Sequence, residues 1–255
     1  MIPKREIGSK GLDGLIGGGI PEDRCLIVIG GPGTGKTTVG VQFLLEGAAI
    51  GENGLHILTE ESPTAISARF DFLHQRGKED ATYNNALKAG QITIIDLLSA
   101  RIGYRENYDL TNIICPPIVR LGDILGIIYD AVRDKDIKRV VIDSLQSFMT
   151  VAEREVVQLR EVLLAIIEPY RRVRVGLLAT SERHVTSSSA ASHIEHDSYL
   201  FVEHVFDGVI SLAKSIAPNH SIRSLKVEKA IWTKHDLRPY RFQISESGIE
   251  VLDPL

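Results

Sequence analysis

Cysteine is scarce. Only Cys25 and Cys115 occur in 255 residues, too few for a disulfide framework and suited to a reducing compartment. No run approaches the roughly 18 apolar residues that carry a helix across a bilayer. The opening Met1–Lys10 is polar, holds Lys4, Arg5 and Lys10, and lacks the apolar stretch of a secretory leader. Heptads, internal repeats and low-complexity tracts are missing too. Positive charge is not in excess: a formal net charge of -4 argues against a general nucleic-acid coat. What remains is an ordinary globular composition, 44% hydrophobic and 24% charged, with a cytoplasmic location expected.

The first strong apolar run, Cys25 to Ile29, is β-branched and followed at once by glycines, the pattern of a buried strand. A helix is expected from Thr37 to about Ala49 and a second strand over Leu55–Thr59. Ser62-Pro63 signals a helix start, with Ser as cap and Pro at the first turn, running to about Gln75. Further strands are expected over Ile92–Leu97, Arg139–Asp143 and Arg174–Thr180. Helices are expected over Ile118–Arg133 and about Arg154–Glu168. Ser99–Pro117 and Arg183–Ser198 read as loops. The tail changes character: Gly208–Ala213, Ser221–Ile231, Arg241–Ser245 and Gly248–Leu252 alternate like strands joined by tight turns. Successive βα units ahead of a β-rich tail imply an α/β fold. Its sheet is mostly parallel and flanked by helices, with antiparallel strands at the C-terminal edge and one domain spanning 1–255.

Gly30-Gly-Pro-Gly-Thr-Gly-Lys-Thr37 fits the phosphate-loop pattern G-x-x-x-x-G-K-[ST]. Backbone N–H groups must wrap a phosphate chain, and only glycine-rich backbone bends that tightly. Gly31, Gly33, Thr34, Gly35, Lys36, Thr37 and Thr38 are the expected nucleotide contacts. Lys36 should reach the β- and γ-phosphates and the Thr37 hydroxyl a Mg²⁺ ion. A strand before and a helix after supply the context this motif needs. The bland alternative is a glycine turn with an incidental lysine.

Two other strand ends carry acids. Asp143 closes Val140-Val-Ile-Asp143, the form of an aspartate that holds Mg²⁺ opposite Thr37; the alternative is a surface acid capping the next helix. Glu60-Glu61 follows the second strand, where a glutamate can orient or deprotonate an attacking water. We expect Glu61 as the base and Glu60 in support. The alternative is an acidic helix start favoured by the helix dipole.

These residues resemble the KaiC-type branch of the RecA superfamily. The resemblance rests on Gly11-Leu-Asp-Gly-Leu-Ile-Gly-Gly-Gly-Ile-Pro21, the phosphate loop, Thr59-Glu-Glu-Ser-Pro63, Val141-Ile-Asp-Ser144, Thr180-Ser-Glu-Arg183 and Phe206-Asp-Gly-Val-Ile-Ser-Leu212. It spans nearly the whole chain and is weakest from Gly77 to Val119. It implies a RecA-like ATPase with ATP and Mg²⁺, in a ring-shaped oligomer, a hexamer, with nucleotide between neighbours. In the family a Lys-x-Arg-x-Thr-x-His stretch reaches the neighbour's nucleotide. Here it reads Lys229-Ala-Ile-Trp-Thr-Lys-His235, so Lys229, Thr233 and His235 match and Ile231 replaces the arginine. A missing guanidinium implies slow hydrolysis, with Lys229 or Lys234 as partial substitutes. The bland alternative for Lys229 and His235 is a solvated edge strand.

Three other features weigh less. The circadian member of the family phosphorylates itself at a Ser-Thr pair; Glu203-His204 stands at the corresponding place, so that autokinase is not expected, and Ser187-Ser188-Ser189 reads as a plain serine loop. His184, His193, His196 and His204 cluster in sequence, but without cysteine they make a poor zinc set. Lys and Arg are few in the stretches 145–155 and 183–198, where superfamily recombinases meet DNA. Two other readings stand beside the ATPase: a RadA-like recombinase paralogue that binds DNA, and a nucleotide sensor with negligible turnover.

Overall fold

The run Cys-Leu-Ile-Val-Ile-Gly offers no polar position on either side. In the computed structural model it forms β3 (Cys25–Gly30), inside a ten-stranded sheet. The structure describes residues 2–75, 78–104, 112–116, 120–146, 159–182, 204–217 and 220–255. Across the sheet the order is β14 (Gly248–Pro254), β13 (Tyr240–Ser245), β12 (His220–Ala230), β11 (Gly208–Ala217), β3, β10 (Gly176–Glu182), β9 (Ile137–Asp143), β4 (Asn53–Leu58), β7 (Ile92–Asp96) and β8 (Ile113–Ile114). Neighbours from β11 to β8 pair in parallel, and β11 to β14 pair antiparallel. This is the mostly parallel sheet with an antiparallel C-terminal edge that the sequence implies.

Both faces of the parallel part are covered, which is why its strands read as unbroken apolar runs. Leu26, Val28, Val141 and Leu178 pack with Val39, Val41 and Phe43 of α2 (Lys36–Ala49). Cys25, Ile27, Val140 and Leu177 pack on the other face, against α6 (Leu121–Asp134) and α7 (Leu159–Val173). Helix α2 lies close on the sheet through glycine: a Cβ at Gly40 would stand 2.8 Å from Val141 Cγ1. Gln42 of α2 ties both chain ends to this helix. Its amide donates to the carbonyls of Gly8 and Ser247, each at 3.0 Å, and its Oε1 accepts from Ile249 N–H at 2.9 Å. Ser9 Oγ also donates to the Ile249 carbonyl at 2.6 Å.

The N-terminal segment carries structure that glycine-rich sequence concealed. β1 (Lys4–Arg5) pairs antiparallel with β2 (Ile20–Pro21), and α1 (Lys10–Leu15) lies between them. Asp13 organises this turn by accepting from Ile7 N–H at 2.7 Å and Gly8 N–H at 3.0 Å. Burial pushes its carboxyl up to about 6, against the pull of those two backbone donors.

Several boundaries differ from the sequence reading. The helix begun at Ser62, whose hydroxyl accepts from Ala65 N–H at 3.2 Å, is α3 (Pro63–Arg69) and does not reach Gln75. The chain turns after Phe70 so that Phe70 and Leu73 both enter the core, and β5 (His74–Gln75) then pairs with β6 (Lys78–Thr82). Thr82 caps a further short helix, α4 (Tyr83–Lys88). The loop expected over Ser99–Pro117 begins inside α5 (Leu97–Ile102), which also takes Leu97 from the expected strand, because Asp96 ends β7 and at once caps a helix by accepting from Ser99 N–H at 2.9 Å. It also contains β8, while residues 105–111 and Pro117 lie outside the described residues. Helix α7 continues through Pro169 to Val173 rather than ending at Glu168, held by buried Tyr170 and by Arg171. The start expected at Arg154 and the loop 183–198 lie outside the described residues.

A candidate phosphate-binding site at the strand tips

The loop leaving β3 is shaped by glycine where a side chain has no room. A Cβ at Gly30 would lie 2.6 Å from the Leu212 carbonyl and 2.7 Å from Thr34 Oγ1. Gly33 and Gly35 sit at φ of 68° and 112°, in the left-handed region. Thr34 fixes the turn from within, its hydroxyl donating to the Gly31 carbonyl at 2.9 Å. Gly35 is the N-cap of α2 and offers no side-chain cap, so N–H groups of the first turn point out of the helix. Such a terminus suits an anion. Thr37 is half-buried and Thr38 buried there. Beneath the loop lies the C-terminal hairpin: a Cβ on Gly35 would meet Ile244 Cδ1 at 3.0 Å.

Lys36 folds back over this turn. Its ammonium donates to the carbonyls of Gly30 at 2.9 Å and Gly31 at 3.0 Å, and stands 3.9 Å from Glu182 Oε1. Glu182 ends β10, in register with Gly30. Two positions earlier on the same face, Thr180 donates its hydroxyl to Asp143 Oδ1 at 2.5 Å. Asp143 ends β9, and the bond after it, Asp143–Ser144, is cis. Thr59, just past β4, pins that turn: its N–H donates to the Asp143 carbonyl at 3.0 Å and its hydroxyl accepts from Ser144 N–H at 2.7 Å. Glu60 accepts from Ser144 Oγ at 2.5 Å. Two sets of contacts thus meet on the tips: Lys36 with Glu182, and Thr180, Asp143, Thr59, Ser144 and Glu60 with one another, the sets joined along β10 from Thr180 to Glu182. Glu61 turns aside and pairs with Arg69 of α3 at 2.7 Å, both partly exposed.

Under these tips sits a buried His56. Its Nδ1 lies 2.8 Å from the Tyr83 hydroxyl, and its Nε2 has no hydrogen-bond partner. Burial pushes the imidazole down to about 4, although the Asp143 charge pulls the other way. Burial, and secondarily that same charge, pushes the Tyr83 phenol far up. Both are neutral at ordinary pH, so the carboxylates above gain no cation from below.

Of the stretch expected to reach a neighbour's nucleotide, Lys229 and Thr233 are elsewhere, and His235 follows with a buried Nε2 that has no hydrogen-bond partner. Lys229 pairs with Val209, which faces Ile27, whereas the loop leaves β3 at Gly30 beside Leu212. That is about 10 Å back along the strand, at the opposite end of the sheet. The Lys229 ammonium donates to the Phe206 carbonyl at 2.7 Å, and Thr233 packs on Gly17. Trp232 faces inward: its Nε1–H donates to the Ile16 carbonyl at 2.8 Å. Lys229 lines a cavity of about 310 Å³ together with Arg171, His204, Asp207 and Ile231. Arg171 donates to Asp207 Oδ2 at 2.8 Å and to Glu168 at 2.7 Å. Within one chain this group and Lys36 do not meet.

Sequence reading overlooked Thr59, Ser144, Thr180 and Glu182 as members of the tip cluster. A usable signal exists for the last two: Leu178 faces α2, so period-two alternation sends Thr180 and Glu182 to the same face. Among the described residues, no three His, Cys, Asp or Glu side chains gather into a group that could hold a metal ion. Of the four histidines weighed for zinc, His184, His193 and His196 lie outside the described residues, as do Ser187–Ser189 and Glu203. No helix among the described residues is long and apolar enough to cross a membrane.

The comparisons with known proteins cover the whole arrangement. A UPF0273 protein of Methanopyrus kandleri is 31% identical over 253 residues, covering 99% of this chain and 93% of its own. One from Thermotoga maritima is 29% identical over 255 residues, covering 98% and 96%. The crystal structure of a KaiC-like protein from Pyrococcus horikoshii matches with a TM-score of 0.74 and 27% identity, over 99% of this chain and 100% of that one. The family model described as the KaiC ATPase matches residues 6–255, and the chain belongs to that family.

Proposed function

We propose that residues 1–255 form one unit that binds ATP with Mg²⁺ and hydrolyses it slowly inside a ring of like subunits, a hexamer. The nucleotide state would be read by a partner protein. The observation carrying this reading is the gathering of Lys36, Glu182, Thr180, Asp143 and Glu60 at four neighbouring strand tips, paired as Lys36–Glu182, Thr180–Asp143 and Ser144–Glu60. The backbone of Gly31 to Gly35 and the first turn of α2 bind the phosphates, and Lys36 exchanges its carbonyl partners for phosphate oxygens. Thr37 and Asp143 offer a hydroxyl and a carboxylate, the oxygen donors Mg²⁺ takes. When bound there, Mg²⁺ neutralises phosphate charge. Glu61 takes the proton of the attacking water, and Glu60, bonded to Ser144, keeps the glutamate pair at the tips.

Lys229, level with Ile27, and Thr233, packed on Gly17, lie away from their own phosphate loop, which supports the Lys229–His235 stretch serving a second copy's. A cytoplasmic location fits the sparse cysteines, Cys25 being buried core. The sensor reading with negligible turnover has one observation in its favour: Ile231, in the arginine's place, is 56% exposed and brings no charge to the cavity rim.

Phosphate release from purified chain under Mg-ATP, read alongside light scattering, tests the proposal. We expect slow multiple turnover that disappears in Lys36→Ala and Asp143→Ala, and nucleotide-dependent growth in mass. Tight ATP binding with no release in any assembly state would select the sensor reading instead.

A further inference from the structure

We propose that Glu182 sets the preference of this site between nucleoside triphosphate and diphosphate. Its carboxylate competes for Lys36 and opposes the third phosphate. The inference rests on the reading of the glycine loop as a nucleotide site.

Four observations converge on this residue. β10 and β3 are parallel neighbours, and the last paired residues are Glu182 and Gly30, so the Glu182 side chain stands beside the first residue of the loop. Alternation along β10 puts it on the α2 face with Leu178 and Thr180. Its Oε1 is 3.9 Å from Lys36 Nζ, and among the described residues Lys36 is its charged partner. Finally, the Lys36 side chain is only 10% exposed while that of Glu182 is 33% exposed. The ammonium is confined to the loop, and the carboxylate has room to withdraw.

The physics follows from distance. A lysine at this position in the motif reaches the β- and γ-phosphates. A carboxylate beside that ammonium would meet the added charge of a third phosphate, which a diphosphate does not bring. Like charges repel as the inverse of their separation, so the carboxylate burdens triphosphate more than diphosphate. Among the described residues, Glu182 is the acid within ion-pair distance of Lys36. Glu182 is therefore a specificity-determining residue here.

The test uses the full chain and two fluorescent nucleotides, a non-hydrolysable ATP analogue and ADP, titrated with Mg²⁺ into wild type, Glu182→Gln and Glu182→Asp. Removing the charge should tighten the triphosphate by about tenfold, the scale of one partly exposed charge pair, and the diphosphate by less than about threefold. Glu182→Asp, which keeps the charge, should stay near wild-type selectivity, and higher salt should shrink the difference between wild type and Glu182→Gln. Equal changes for both nucleotides, or a triphosphate weakened in Glu182→Gln, would overturn the inference while leaving the nucleotide site standing. A wild type that binds neither nucleotide would overturn the reading of the site, and this inference with it. Should Glu182→Gln fold poorly, Glu182→Ala carries the same expectation.

Discussion

Gly17 and Thr233 meet so closely that a Cβ on Gly17 would lie 2.5 Å from the Thr233 hydroxyl. The glycine also holds φ at +74°, where other residues are strained. This contact seats the Lys229–His235 stretch against the turn after α1. Gly17→Ala should cost about 1–3 kcal/mol of stability. It should abolish growth of light scattering under Mg-ATP while leaving nucleotide affinity of the dilute chain within about twofold. A variant that assembles as the wild type does would show that Thr233 has no part in the subunit contact.

The two glutamates differ in what holds them: Glu60 is bonded to Ser144, and Glu61 is paired with Arg69. Glu61→Gln should lower the rate of phosphate release about 100-fold with little change in ATP affinity, the usual scale for losing a general base. Glu60→Gln should cost less, since its Ser144 bond can be kept by an amide oxygen. Single-turnover measurements decide between them, and a larger loss in Glu60→Gln would exchange the two roles.

Ile231 is exposed on the rim of the cavity that Lys229 and Arg171 line, so a longer side chain meets no packed neighbour there. Ile231→Arg should raise turnover by about tenfold or more, because a guanidinium spreads over transition-state charge as no ammonium does. The gain should appear only at protein concentrations where subunits associate. An equal gain in dilute monomer would place the arginine's action within its own chain.

Asp13 predicts a pH dependence of stability. Its folded pKa is about 6, against an ordinary value of 3.8. A carboxyl raised in this way contributes most below pH 3.8, and the contribution is lost as pH rises through 6. The stability of wild type relative to Asp13→Asn should therefore fall between pH 4 and pH 7, by up to about 3 kcal/mol. Urea unfolding of both proteins at the two pH values measures it. A difference that stays constant or grows with pH would refute it.

The sequence made the tips legible where chemistry and burial coincide. Cys25–Gly30 is apolar because both of its faces are covered, and the glycines after it permit the left-handed turn that a phosphate loop needs. Glu182 is part of the motif that carries the family resemblance, but a strand ending at Thr180 leaves it out of the tip cluster. Ser181 and Glu182 look like loop residues, although backbone pairing carries them to the strand's last rung. α5 was hidden because Asp96 ends a strand and caps a helix at once, two roles that one residue's propensity does not separate. α1 was hidden for a different reason. Two glycines make Lys10–Leu15 a poor helix on its own, and long-range packing with the Asp13 bonds holds it.

Gln42 sits early in the chain, yet its amide is satisfied by Gly8 on one side and by Ser247 and Ile249, some 200 positions later, on the other. During synthesis, the helix that starts at the glycine loop can pack on the parallel strands, but the side that meets Ser247 and Ile249 stays open until that hairpin has been made. Contacts this remote in sequence slow folding, and they leave apolar surface open to wrong partners meanwhile. Stop codons or tags that disturb the final hairpin should then be felt first as aggregation of newly made chain, well before any effect on nucleotide chemistry is seen.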